Sequence, residues 1–191
     1  MSRSIPRDEA LALLHEWVTE PSLRRHCLAV EASMRARART LGEDEELWGV
    51  TGLLHDADYE RHPDPDTGHP RMVMAELRER GAPDEVVEAI AGHAAYMGVA
   101  RGTALARNLF AVDELSGFVT AVAKVRPQGV HGLTPKSVRK KLKTASFAAA
   151  VSREDVILGA EELGIELADL IAEVVAALEP HAAELGIDGE G

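Results

Sequence analysis

A single cysteine, Cys27, stands in 191 residues, which excludes an intramolecular disulfide framework and fits a reducing compartment. It reads as a small buried apolar side chain rather than a nucleophile. Aromatic residues make up only 4%, and no segment alternates polar and apolar residues between turn signals, so strands are disfavoured. No apolar run approaches the roughly 18 residues of a membrane span. The first nine residues, Met1 to Glu9, carry no apolar signal region, so a cytoplasmic protein away from membranes is expected. Basic residues are also scarce: 21 Lys+Arg against 32 Asp+Glu leave a net charge of −11, which argues against a general binder of nucleic-acid polymers or anionic membranes.

The shortage of base is uneven. Between Leu115 and Arg153 there is no acid, but eight bases occur: Lys124, Arg126, Lys136, Arg139, Lys140, Lys141, Lys143 and Arg153. From Glu161 onward there is no Lys or Arg. A local site for a small anion is therefore expected inside an acidic carrier.

What is abundant is alanine and helical periodicity, and the expected fold is all-α, one domain over 1–191. Leu11, Leu14, His15 and Val18 recur at helical spacing, with Ser4 and Pro6 where a first helix begins. A second helix restarts at Pro21 and runs to about Leu41, stopped by Gly42. A third begins among Glu43 to Glu46 and ends at His55-Asp56. Residues 59–70 read as a binding loop, 69–80 as a short helix closed by Gly81, and Pro83-Asp84-Glu85 as the next helix start. Another helix spans about Thr103 to Val125. Thr134-Pro135 caps a basic helix, Ser152 to Asp155 resembles a capping box, and a final helix runs from about Glu166 to near Gly186.

His55 and Asp56 end an apolar helix, where two side chains can reach one ion; alone, the dipeptide also reads as a capped helix end. Its company points to metal. His26 lies on the apolar side of the preceding helix, and Asp113 interrupts the hydrophobic stretch Leu109 to Leu115, where an unpaired carboxylate is costly to bury. His26, His55, Asp56 and Asp113 together supply a two-histidine, two-carboxylate shell.

This ordered set resembles the HD-domain superfamily of metal-dependent phosphohydrolases. The stretches Leu53 to Glu60, Asp113 to Gly117, Lys141 to Lys143, Phe147-Ala148 and Val151 to Glu154 are similar to a small single-domain bacterial subfamily of HD hydrolases, and together span roughly 20–175. The resemblance implies a helical fold with the metal held between helices by His26, His55, Asp56 and Asp113, and hydrolysis of a small phosphate ester, a nucleotide first among them, by metal-activated water. HD proteins with two metals add histidines between the His-Asp pair and the last Asp, which implies His69 and His93 here, with Asp56 as the bridge. Capping and core hydrogen bonding are the structural alternatives for these two. His62 reads as a loop residue, and His15, His131 and His181 as structural or surface groups.

Many members carry Ile-Gly after the pair. Here Asp58, Tyr59 and Glu60 follow, so the family's acid/base assignment does not transfer; Asp56 and Asp58 are the catalytic candidates, with an Arg salt bridge as the alternative for Asp58. Lys140, Lys143, Arg153 and Arg25 are the candidate phosphate contacts, and Lys136, Arg139 and Lys141 read as a solvated face. Nitrogen and oxygen ligands without thiolate suit one or two ions of Mn, Fe, Co, Ni, Zn or Mg. A regulatory module that binds metal or nucleotide without turnover is the alternative function, an oxidative di-iron enzyme a further one, and a homodimer through the apolar final helix is left open.

Overall fold

The structure, a computed structural model, describes residues 5–190. Among these there is no strand. The helices are α1 (Arg7–Trp17), α2 (Pro21–Leu41), α3 (Glu45–Leu54), α4 (Arg71–Glu79), α5 (Asp84–His93), α6 (Ala104–Lys124), α7 (Pro135–Leu142), α8 (Arg153–Leu163), α9 (Leu167–Leu178) and the short α10 (Ala182–Leu185). No helix among the described residues is long and apolar enough to cross a membrane.

Most helix starts follow from local chemistry. The Asp44 carboxylate accepts from the Leu47 N–H (3.0 Å), Thr103 from Ala106 (3.1 Å) and Thr134 from Ser137 (3.3 Å), each satisfying an N-terminal donor that the helix leaves free. Ser152 accepts from the Asp155 N–H, but the reciprocal half of the expected capping box is not made by Asp155; the Ser152 N–H donates to Glu114 on α6. Ser4, an expected start signal, lies outside the described residues, and α1 is preceded by Pro6. The expected final helix is interrupted. Pro180 has no N–H and its ring clashes with the preceding turn, so α9 ends at Leu178 and a 3₁₀ turn over Glu179–His181 leads into α10.

Two close approaches place the site. A Cβ on Gly52 of α3 would lie 2.9 Å from the Val30 carbonyl of α2, and Gly49 faces Arg35. The helices therefore run antiparallel at short range, which brings His55, one turn after Gly52, against His26, one turn before Val30. On the other side, Gly159 of α8 sits over Ala111 of α6, where a Cβ would be 2.6 Å from the Ala111 Cα. α6 is pinned to α2 by the buried Ser33–Ser116 hydroxyl pair (2.9 Å) and by Arg37, whose Nε donates to Asn108 (2.7 Å). The buried apolar residues form one cluster from Ile5 to Ile187, filling the space between these helices.

Candidate metal centre

His55 follows the last turn of α3, and His93 is the last residue of α5. The two rings are set the same way: the His55 Nδ1–H donates to the Gly52 carbonyl (2.7 Å) and the His93 Nδ1–H to Ile90 (2.5 Å), each using a carbonyl at its helix end. His69 comes from the loop between α3 and α4. Its backbone N–H closes that loop on the His62 carbonyl (2.7 Å), and its Nδ1–H donates to Asp58 (2.7 Å). In all three rings the outer nitrogen is engaged, so Nε2 is the atom that points inward.

These Nε2 atoms, and that of His26, converge on Asp56. Its Oδ1 lies 3.3 Å from His93 Nε2 and 3.4 Å from His69 Nε2, and its Oδ2 lies 3.6 Å from His55 Nε2 and 3.7 Å from His26 Nε2. Asp113 Oδ1 adds a contact to His26 (3.0 Å) and to His55 (3.2 Å). The His26 and His55 Nε2 atoms are 3.3 Å apart. Ligands held about 2.0–2.2 Å from one ion stand about 3.0–3.5 Å from each other, so the spacing suits a shared cation. Two groups bring one ligand atom from each residue within 4.8 Å of one another: His26, His55 and Asp113, and His55, Asp56 and His93.

The charges of this cage agree with a cation's place. Burial opposes a proton on His55, but Asp56 and Asp113 overcome it and raise its pKa to about 10. Burial likewise works against ionised Asp56 and Asp113, yet the His55 charge and hydrogen bonds from His93 and His26 hold both carboxyls below the usual carboxylate range. The interior carries two carboxylates that require positive charge. Cys27, buried next to this cluster, has its thiol pushed well up by burial and then by Asp56 and Asp113, which fits an inert packing residue.

His26, Asp56, His69, His93 and Asp113 all line a cleft of about 590 Å³, with His55 buried behind them. Residues 23–117 match the family model for the HD domain, and every one of these six side chains falls inside that match. This segment is an HD domain. No match was found among curated proteins or among solved structures. Residues 118–175, which the motif wording had added to the HD-like core, lie outside the matched segment.

Other expected residues sit elsewhere. Asp58 is fully buried, accepting from His69 Nδ1 and from the Val73 N–H (2.9 Å), so it orients a ring of the HD centre instead of facing the cleft. None of the four candidate phosphate contacts lines the cleft. Arg153 is drawn off by carbonyls: it donates to Ala148 (2.6 Å), Val151 (2.7 Å), Thr144 (3.4 Å) and Phe147, gathering a loop whose backbone would otherwise lack donors. Lys140 and Lys143 are exposed on and just after α7, and the Arg25 guanidinium lies beside Gly186. Glu60 is likewise occupied, taking the Thr19 and Glu20 N–H groups (2.8 and 2.9 Å).

Four cleft residues were missed in the sequence. Glu114, the neighbour of Asp113, is pushed up to about 7 by burial and then by the Asp113 charge; a second acid in the apolar stretch was the available signal. Asp155 follows from the α8 capping segment. Tyr59 and Tyr96 are the chain's two tyrosines, and both line the cleft. Tyr59 packs edge-on against the His69 ring (5.2 Å between centroids), and the Tyr96 hydroxyl donates to the His69 carbonyl (2.9 Å).

Proposed function

We propose that this chain is a metal-dependent phosphohydrolase acting on a small anionic phosphate ester, with nucleotides the first class to test. The observation that carries the reading is the two-sided use of Asp56, whose Oδ2 faces His26 and His55 while Oδ1 faces His69 and His93. His26, His55 and Asp113 would hold one divalent ion, His69 and His93 a second, and Asp56 would reach both. A bound divalent ion supplies a Lewis acid for phosphoryl oxygens and an acidified water near neutral pH. The donor set, without thiolate, suits Mn, Fe, Co, Ni, Zn or Mg.

The chain's own residues keep that centre in shape. Asp58 and the carbonyls of Gly52 and Ile90 fix the tautomer and tilt of three imidazoles, so no ring has to reorganise when substrate arrives. The cleft gives the ester its access, and Tyr59 and Tyr96 stand in its lining in contact with His69.

The test is metal analysis of the purified protein, followed by phosphate release from nucleotides and simple phosphoesters with each ion in turn. Release is expected to require metal and to fall by about 10³-fold or more in Asp56→Ala, with helical content retained. A metal-loaded protein that frees no phosphate from any of them overturns the reading.

A further inference from the structure

Phosphate sites generally surround the anion with Lys, Arg or backbone donors, and each added phosphate needs its own compensation. Among the described residues, no Lys or Arg lines this cleft. Arg71, whose charge reaches Tyr96, is tied to the Pro65 carbonyl at the mouth and does not line the cleft either. Beyond the ligand carboxylates, the charged groups on the cleft wall are Glu114 and Asp155. They are neighbours: both line the cleft, and Ser152 at the start of α8 links them, donating its N–H to Glu114 (3.2 Å) and accepting from the Asp155 N–H (3.2 Å). A second or third phosphate leaving the centre along this wall would meet negative charge with no side-chain cation to offset it.

The same cleft also has an apolar and aromatic lining. Tyr59 and Tyr96 keep 50% and 55% of their surface exposed although His69 anchors both. Rings anchored at His69 with about half of their surface open to the solvent are suited to an organic group of flat or apolar character. Pro63, Pro65, Ala94 and Ala95 continue that surface.

We infer that this cleft selects a phosphomonoester, a single phosphoryl group on a flat organic group held by Tyr59 and Tyr96, and that Glu114 and Asp155 exclude polyphosphates. The inference rests on the phosphohydrolase reading for where the phosphoryl group sits. It adds the class of ester and the residues that choose it.

The probes are hydrolysis-resistant phosphonate analogues of adenosine mono- and diphosphate and an aliphatic phosphonate, titrated calorimetrically into manganese-loaded protein at pH 8. The monophosphate analogue is expected to bind about tenfold or more tighter than the diphosphate analogue, a gap set by charge repulsion. The double variant Glu114→Gln, Asp155→Asn should largely close that gap; the side-chain amide introduced by Glu114→Gln keeps an acceptor for the Ser152 N–H. Tyr96→Ala should weaken the adenosine monophosphate analogue about tenfold more than it weakens the aliphatic phosphonate, the excess being lost stacking. Equal or tighter binding of the diphosphate analogue by the unaltered protein overturns the inference, whatever the variants do. Phosphate release from adenosine mono-, di- and triphosphate, run in parallel, separates the two readings. Selective binding with no hydrolysis of any ester removes the catalytic reading alone, and hydrolysis that favours the triphosphate removes this inference alone.

Discussion

His69 is held from behind by Asp58, and that single hydrogen bond decides which nitrogen faces Asp56. A carboxylate behind a ligand imidazole raises its basicity and locks its orientation. In Asp58→Asn the charge is lost while an acceptor remains, so binding of an ion at His69 and His93 should weaken by about 10–100-fold. If two ions bind as proposed, titration against a competing chelator should then show one tight and one weakened ion; two unchanged affinities would deny Asp58 its positioning role. At this scale the sequence was partly readable. Asp58 stands out two residues after Asp56, but its partner lies eleven residues on, across an irregular loop whose path no periodicity describes. Arg153 shows the opposite failure. A basic residue near a phosphate motif suggests an anion contact, whereas its two terminal nitrogens donate to four loop carbonyls and it does not line the cleft.

The helices meet where glycine lets them. Gly52→Ala would drive a Cβ to 2.9 Å from the Val30 backbone oxygen, which cannot swing aside as a side chain can. Overpacking of this kind costs about 1–3 kcal/mol, and it should part α2 from α3 and so His26 from His55. Gly117 is the contrasting case: a Cβ there makes ordinary contact with the His26 ring at 3.6 Å, so Gly117→Ala should gain about 0.5–1 kcal/mol of helix stability. Thermal melts of the metal-free variants give both signs, and metal titration of Gly52→Ala should show weakened binding; unaltered melting and binding in Gly52→Ala would mean that α2 and α3 have slack. The elements themselves were legible because caps and apolar spacing act within about four residues. Asp44, Thr103, Thr134 and Ser152 all sit at the helix starts their chemistry suggests. The break at Pro180 was also local in origin, but a broad apolar face running through it masked the signal.

For the whole molecule, the metal-free state must balance its buried carboxylates with protons. His55 has a folded pKa of about 10 against an ordinary value of 6.5. Its folded value is raised, so the stability it contributes is fully present below about pH 6.5 and is lost as pH rises towards 10. The chelated protein should therefore melt at progressively lower temperature from pH 7 to pH 10. A bound ion takes over the proton's role, so the metal-loaded protein should melt higher and vary less over the same range. Parallel pH series with and without chelator test this; equal slopes would mean that His55 does not carry the charge. His131 offers a second, exposed titration far from the centre, bridging Glu179 and Asp188 near the C-terminus.

The helical class, the positions of most helix starts and the chemical types gathered for a metal are legible in the residues alone, because each depends on neighbours within a turn or on how costly a buried charge is. Tertiary packing set which nitrogen of the His55, His69 and His93 rings points inward, that Asp56 faces two groups at once, and that no Lys or Arg of the basic stretch after Asp113 lines the cleft. Those outcomes depend on close approaches such as Gly52 on Val30 and Gly159 on Ala111, and on which carbonyls lack donors, all of them relations between residues far apart in the chain.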